Sequence, residues 1–290
     1  MNLTRREFMR TAAAVVGTAA LTARPMLGDE GGSGMSPAIN PVYLTGSMEN
    51  WPLAELAGAG YRGLELPPAC LEAAPAWKPA ADAAGLRVVC VNALPELRPY
   101  LTGSLSDGVE RRRRETREAL LRTLARMRDL EIPLLVVAPS RVAENYQTAD
   151  EARALLIESL RLLATAGDTT ILLEAAPFRM ATSSADIAGI VDEIAMPNVA
   201  AALDVGHAML NGEAPGEAAS ALGERLRYVQ VHDAEVRPGV PRLDRHVPLG
   251  EGSLDQKEAR AAIGDRPFAV SITPIGDPLA AARSALDWLR

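Results

Sequence analysis

The stretch VAAALDVGH, Val199–His207, decides how the rest of this chain is read. Small and apolar residues from Val199 to Leu203 make a run with the length and composition of a buried strand. The run delivers Asp204, and His207 follows across Gly206, a residue that lets the backbone fold back tightly. Two metal-ligand side chains thus stand at the mouth of a buried strand. The chain holds 3 histidines, His207, His232 and His246, and each lies in or beside a segment that reads as a strand end.

Outward from this stretch, short apolar runs alternate with longer amphipathic ones, the pattern of βα units and a parallel sheet. Strands are predicted at Val42–Leu44, Gly63–Leu66, Arg87–Asn92, Leu134–Ala138, Thr170–Glu174, Val199–Asp204, Tyr228–His232 and Phe268–Thr273. Between them, Ile187, Ile190, Val191 and Ile194 form one helical face, and Leu120, Leu124 and Met127 another. Thr148 with Glu151 is a capping-box pattern, and Asp277-Pro278 supplies an N-cap and first-turn proline. Eight such units predict an α/β fold of the (β/α)8 TIM-barrel type over residues 37–290. A doubly wound sheet is disfavoured because no G-x-G-x-x-G turn follows the first strand.

The 290 residues, 48% of them hydrophobic, are enough for one large core. Aromatic residues are only 4%, so that core rests on Ala, Leu, Val and Ile. A net charge of −7 argues against a general nucleic-acid or anionic-membrane binder. Cys70 and Cys90 are too few for a disulfide framework and read as small buried hydrophobes.

Residues 1–36 read as a targeting segment and linker, outside the fold. Thr4-Arg5-Arg6-Glu7-Phe8-Met9 precedes a small, weakly apolar stretch, Thr11–Ala23, too short to span a bilayer. It resembles a twin-arginine export signal, which implies the corresponding export machinery as a partner and a periplasmic or otherwise exported protein without stable membrane insertion. Folded proteins use that route, so a metal can be loaded before export.

In a barrel, residues at the C-terminal strand ends converge on one mouth. That rule selects Glu65, Asn92, Glu174, Asp204, His232 and Ser271. Glu174, Asp204 and His232 supply two carboxylates and an imidazole from three successive strands, a shell suited to Mn, Mg, Co or Zn. A second cluster, Asp244 and His246, lies two residues apart in an extended segment ahead of Gly250-Glu251-Gly252. Arg141 and Arg179, each just beyond a strand end, are candidates for gripping a sugar hydroxyl or acid. The run Arg111–Arg114 reads as a paired helix face, with Glu115 and Glu118 four residues on, or as the mark of an anionic ligand at a helix start.

Together, LLE at Glu174, LDVGH at Asp204–His207, VHD at His232 and HVPLGEGSLD from His246 resemble the xylose-isomerase-like barrel superfamily. That group contains sugar and sugar-phosphate isomerases and epimerases and the type IV AP endonucleases (AP endonuclease family 2). The resemblance implies that Glu174, Asp204 and His232 hold a catalytic divalent metal. It also implies that His207 lies near substrate, and that His207, Asp244 and His246 form the shell of a second metal. Where the superfamily ends its eighth strand on a glutamate, this chain places Ser271, so ordinary two-base epimerisation is not expected. The endonuclease branch is disfavoured because no histidine precedes His207.

These readings converge on a metal-dependent isomerase/epimerase-like enzyme with a small carbohydrate substrate, Glu174 and His207 being the candidate acid/base groups. The alternatives are an exported lyase or hydrolase of keto-glycosides and a catalytically reduced sugar-binding barrel. An oligomer is compatible with each.

Overall fold

The computed structural model describes residues 37–46, 51–93, 105–139, 148–177, 181–239 and 243–290. Eight parallel strands close a barrel in chain order: β1 Pro37–Ile39, β2 Gly63–Leu66, β3 Arg87–Asn92, β4 Leu134–Val137, β5 Thr170–Glu174, β6 Val199–Asp204, β7 Leu226–Val231 and β8 Phe268–Val270. β8 pairs back onto β1, Ala269 opposite Ala38, so the sheet has no open edge. Helices between the strands cover the outside, and the main apolar core fills the layer between them and the barrel.

The first strand is the one misplaced by the sequence reading. Val42–Leu44 is helical, inside Pro41–Thr45, and the strand is Pro37–Ile39. Asn40 causes the switch: its Oδ1 accepts from the amides of Val42 at 3.1 Å and Tyr43 at 3.4 Å, and Pro41 sets the first-turn φ. Three apolar residues are too few to carry a period, so the cap decides. β7 begins two residues earlier than expected, and β8 ends at Val270, leaving Ser271 just past its end.

The helix signals hold. Thr148 and Glu151 form the reciprocal capping box, and Asp277 accepts from the amide of Leu279 at 2.9 Å. Ser184–Ile194 buries all four of its predicted apolar positions, and Glu110–Asp129 buries Leu120, Leu124 and Met127. At the start of the latter helix, Arg111 pairs with Glu115 at 3.1 Å and Arg114 with Glu118 at 3.8 Å. Arg112 pairs with Asp107, while Arg113 and Arg117 share Glu110, so acids of the chain itself answer the run. Cys70 and Cys90 are buried free thiols, and burial pushes Cys70 up to about 12. No described helix is long and apolar enough to cross a membrane. The N-terminal export reading, like Arg141 and Arg179, lies outside the described residues.

Candidate metal centre and acid/base site

Every histidine of the chain arrives at the same end of the barrel. Glu174 ends β5, Asp204 ends β6 and His232 follows β7 directly, so a parallel sheet brings them to one mouth. Asp204 also caps the helix Val205–Asn211, its Oδ1 accepting from the amide of His207 at 2.9 Å. That cap fixes where His207 emerges, and this much of the Asp-x-x-His spacing serves local structure.

Gly206 has a reason other than a turn. It is helical, is not among the glycines with positive φ, and lies against the ring of His232. A Cβ at this position would stand 2.0 Å from His232 Cε1, so only glycine admits the imidazole.

Asp244 and His246 come in on the loop after β7, which Asp233 ties down. Fully buried, Asp233 accepts four backbone amides: Ala234 and Leu254 on Oδ1, both at 2.8 Å, and Gly250 and Gly252 on Oδ2 at 3.1 and 2.9 Å. Its own backbone bridges to Val247. Asp233 is therefore a positioning residue; two Gly amides within reach of a buried carboxylate are the sequence signal for it.

The side chains form a continuous network. His207 Nδ1 lies 2.7 Å from Glu174 Oε1, and its Nε2 lies 3.0 Å from Asp244 Oδ2. His232 Nε2 lies 2.9 Å from Asp204 Oδ1, and His246 Nε2 lies 3.6 Å from Asp244 Oδ1. Among the described residues, ligand atoms within 4.8 Å of one another fall into two groups: His207, His232, Asp244 and His246, and Glu174, Asp204 and His207. The expected trio of Glu174, Asp204 and His232 is thus not gathered about one point by itself. Asp204 faces His232, and His207 links Glu174 to the rest.

Protonation follows from the partners. His232 Nδ1 lies 3.0 Å from the carbonyl of Asp233, and His246 Nδ1 lies 2.7 Å from the carbonyl of Ser271. A carbonyl only accepts, so in each neutral ring Nδ1 carries the hydrogen and Nε2 the lone pair. With the ring neutral, His232 Nε2 and Asp204 Oδ1 are two electron-rich atoms at 2.9 Å. Glu174 Oε2 and Asp244 Oδ1 are buried without a hydrogen-bond partner. Buried, unsatisfied lone pairs are costly alone and are what a cation requires. The nitrogen and oxygen donors suit a borderline divalent ion such as Zn, Mn or Co.

Burial is the largest influence on Glu174 and lifts its carboxyl to about 7, with the bond to His207 acting in opposition. Asp204 is as buried, but the charge of His207 beside it outweighs that and holds it at about 2. Asp244 is also lowered, His207 overcoming burial. Burial disfavours a charged His207, yet Asp204, Asp244 and Glu174 around it raise it well above the usual histidine value.

The remaining predicted residues divide. Ser271 is buried at the end of β8, its Oγ without a hydrogen-bond partner and its carbonyl holding His246. Asn92 is half-buried and donates to Glu65 Oε1 at 3.3 Å. Glu65, expected at substrate, is fully buried inside the barrel, and Gln230 Nε2 lies 2.9 and 3.0 Å from its two oxygens. This bond crosses from β2 to β7 because the intervening strands present only Ala38 and Ala269 on that face. Burial raises the Glu65 carboxyl, against the bonds from Gln230 and Asn92. Gln230 was missed, although a polar residue two before His232 in VQVH shares its face. Tyr43, stacked on His246, was missed because its segment was read as a strand.

Comparison with known proteins agrees with this architecture. D-psicose 3-epimerase from Clostridium cellulolyticum H10 has a similar structure, with TM-score 0.71, 17% identity, and 88% of this chain and 98% of that one covered. The E. coli 3-keto-D-glucoside 4-epimerase YcjR gives TM-score 0.70 and 19% identity, covering 89% and 99%. The IOLI protein, solved with a bound zinc atom, gives TM-score 0.67 and 16% identity, covering 88% and 95%. No curated protein matches the chain by sequence. The model of the xylose isomerase-like TIM barrel family matches residues 53–290, and the chain belongs to that family.

Proposed function

We propose that this protein is a divalent-metal-dependent, isomerase- or epimerase-like enzyme acting on a sugar or sugar-derived carbonyl compound. The observation that carries the reading is the 2.9 Å approach of His232 Nε2 to Asp204 Oδ1, beside Glu174 Oε2 and Asp244 Oδ1, which are buried without hydrogen-bond partners. Asp204 and His232 would hold the ion, with Glu174, His207, Asp244 and His246 beside it. A divalent cation there supplies Lewis-acid polarisation of a substrate carbonyl.

Glu174 is the base. A carboxyl near 7 is matched to taking and returning a proton at neutral pH. His207 occupies its Oε1, which leaves Oε2 for the proton on the carbon next to the carbonyl. His207, charged between its carboxylates, orients the Glu174 carboxylate through Nδ1. Ser271 cannot hold a proton as a carboxylate does, so Glu174 would act as the single base, taking the proton from one carbon and returning it to the neighbouring one, an aldose-ketose isomerisation rather than a two-base epimerisation. The epimerases of D-psicose and of 3-keto-D-glucosides, and the zinc of IOLI, support this substrate class and this cofactor.

Incubation of metal-reconstituted protein with keto sugars in heavy water tests the reading. Deuterium is expected at the carbon next to the carbonyl, and Glu174→Gln should slow exchange by about 10²–10⁴. Metal binding without exchange at any carbon would leave only a sugar-binding barrel.

Ser271 favours a second reading, a lyase acting on keto-glycosides. With no carboxyl from β8 to return a proton on the opposite face, abstraction by Glu174 leads on to loss of the β-substituent. Release of an aglycone, read by mass spectrometry, separates this outcome from isomerisation. The N-terminal arginine pair supports export of the protein, testable by whether residues 1–36 export a folded reporter only through the twin-arginine route.

A further inference from the structure

The acids that answer the arginine run at the start of the helix Glu110–Asp129 leave it one short. Arg111, Arg112 and Arg114 each have a carboxylate of their own, in Glu115, Asp107 and Glu118. Arg113 and Arg117, one turn apart, divide a single carboxylate: Glu110 Oε2 accepts from Arg113 Nη2, and its Oε1 accepts from Arg117 Nη2 at 2.7 Å. Both guanidinium residues are buried, 7% and 9% exposed, whereas Glu110 is exposed, so the carboxylate lies on the solvent side of the pair.

This pairing fills half of each fork. A guanidinium grips an oxyanion best with two N–H groups on one edge. On Arg113 that edge is Nε with Nη2, and Nε is buried without a partner; on Arg117 it is Nη1 with Nη2, and Nη1 is likewise unpaired. Unpaired buried donors on a cation are costly, and the two oxygens of a carboxylate are already used. A tetrahedral oxyanion has oxygens enough for both edges. As a dianion, phosphate also matches the two guanidinium charges, where Glu110 supplies one.

The surroundings are built to hold such a group. Arg113 Nη1 donates to the carbonyl of Asp107, the amide of Val109 to Asp107 Oδ1 at 2.8 Å, and Ser159 Oγ to the carbonyl of Leu105 at 2.7 Å, which fixes the segment leading into the helix. The positive end of the helix dipole is poorly suited to this many cations and well suited to an anion beside them. The far end of the helix leads within a few residues into the first residue of β4, so its start lies at the end of the barrel to which β5 and β6 deliver Glu174 and Asp204.

We propose that Arg113 and Arg117 form a binding site for a phosphate-type oxyanion, which Glu110 closes and must vacate when the anion enters. The shared chemistry is a phosphoryl group, carried by a sugar phosphate or free in solution.

The test is calorimetric titration of the full-length protein with inorganic phosphate, against chloride at matched ionic strength, for wild type, Glu110→Gln and the double variant Glu110→Gln/Arg117→Gln. Glu110→Gln removes the competing charge and should bind phosphate about tenfold more tightly than wild type. Adding Arg117→Gln should abolish that gain. Should Glu110→Gln fail to fold, Glu110→Asp, one methylene shorter and unable to span both guanidiniums, takes its place with the same expectation. Phosphate affinity unchanged by the loss of Glu110 overturns the proposal, as does a gain that survives Arg117→Gln. D-Fructose 6-phosphate distinguishes the sources: tighter binding of the sugar phosphate than of inorganic phosphate to Glu110→Gln assigns the group to a substrate, and equal or weaker binding assigns it to free phosphate. Failure of both to bind any of the three proteins overturns the site. None of these readouts involves the metal, so they stand apart from the reading above.

Discussion

The ring of His232 occupies the place where any residue but glycine at position 206 would carry its Cβ, 2.0 Å from His232 Cε1. The two residues lie on successive barrel units, so the close approach ties the strand that delivers Asp204 to the histidine it faces. Gly206→Ala must push the imidazole aside. Overpacking of this kind costs about 1–3 kcal/mol of stability. Zinc affinity should fall by more than about tenfold, because a ligand moves with the ring. Titration calorimetry checks it, and unchanged affinity would separate His232 from the centre.

Asp233 carries the loop that brings Asp244 and His246. Replacing it with Asn leaves one acceptor and sets an NH2 group against backbone amides. Loss of charged, buried hydrogen bonds should destabilise the fold by roughly 3 kcal/mol. Hydrogen exchange should quicken at Gly250, Gly252 and Leu254, whose amides Asp233 accepts.

Glu65 makes stability depend on pH. Its folded carboxyl titrates above the ordinary 4.5, so the folded protein keeps a proton that the unfolded chain releases. The stability this confers is complete below 4.5 and is lost as pH rises through the folded value. Glu65→Gln escapes the loss, and its amide can donate to Gln230 Oε1, a buried acceptor without a partner. Urea unfolding of metal-free protein should show the variant gaining on wild type as pH climbs toward neutrality, and not in acid. A constant difference at every pH would remove Glu65 as the cause.

Metal removal should lower the melting temperature. A ligand at a hundredfold excess over its Kd contributes about 3 kcal/mol, or roughly 5–10 °C for a protein of this size. Wild type treated with chelator should lose that increment, and His232→Ala should have none to lose. Calorimetry with and without added zinc compares them.

Much of this was legible in the residues. ILLE, LDVGH and VQVH each end an apolar run on a polar side chain, and a parallel barrel has only one mouth at which such ends meet. What escaped reading depends on partners remote in sequence. Gly206 looks like a turn until His232 is seen against it, and Val42–Leu44 looks like a strand until Asn40 caps it. The stack of Tyr43 on His246 joins opposite ends of the chain, which no local pattern announces. The ligand grouping was read as two separate shells, whereas His207 belongs to both groups of donor atoms.

The central claim is that Asp204 and His232 hold a divalent cation beside Glu174. Crystals of zinc-loaded protein, with diffraction recorded on both sides of the zinc edge, test it directly. The account predicts an anomalous peak about 2.0–2.2 Å from His232 Nε2 and from an Asp204 oxygen. A zinc ion found only elsewhere on the protein, with these two atoms unligated, would contradict it.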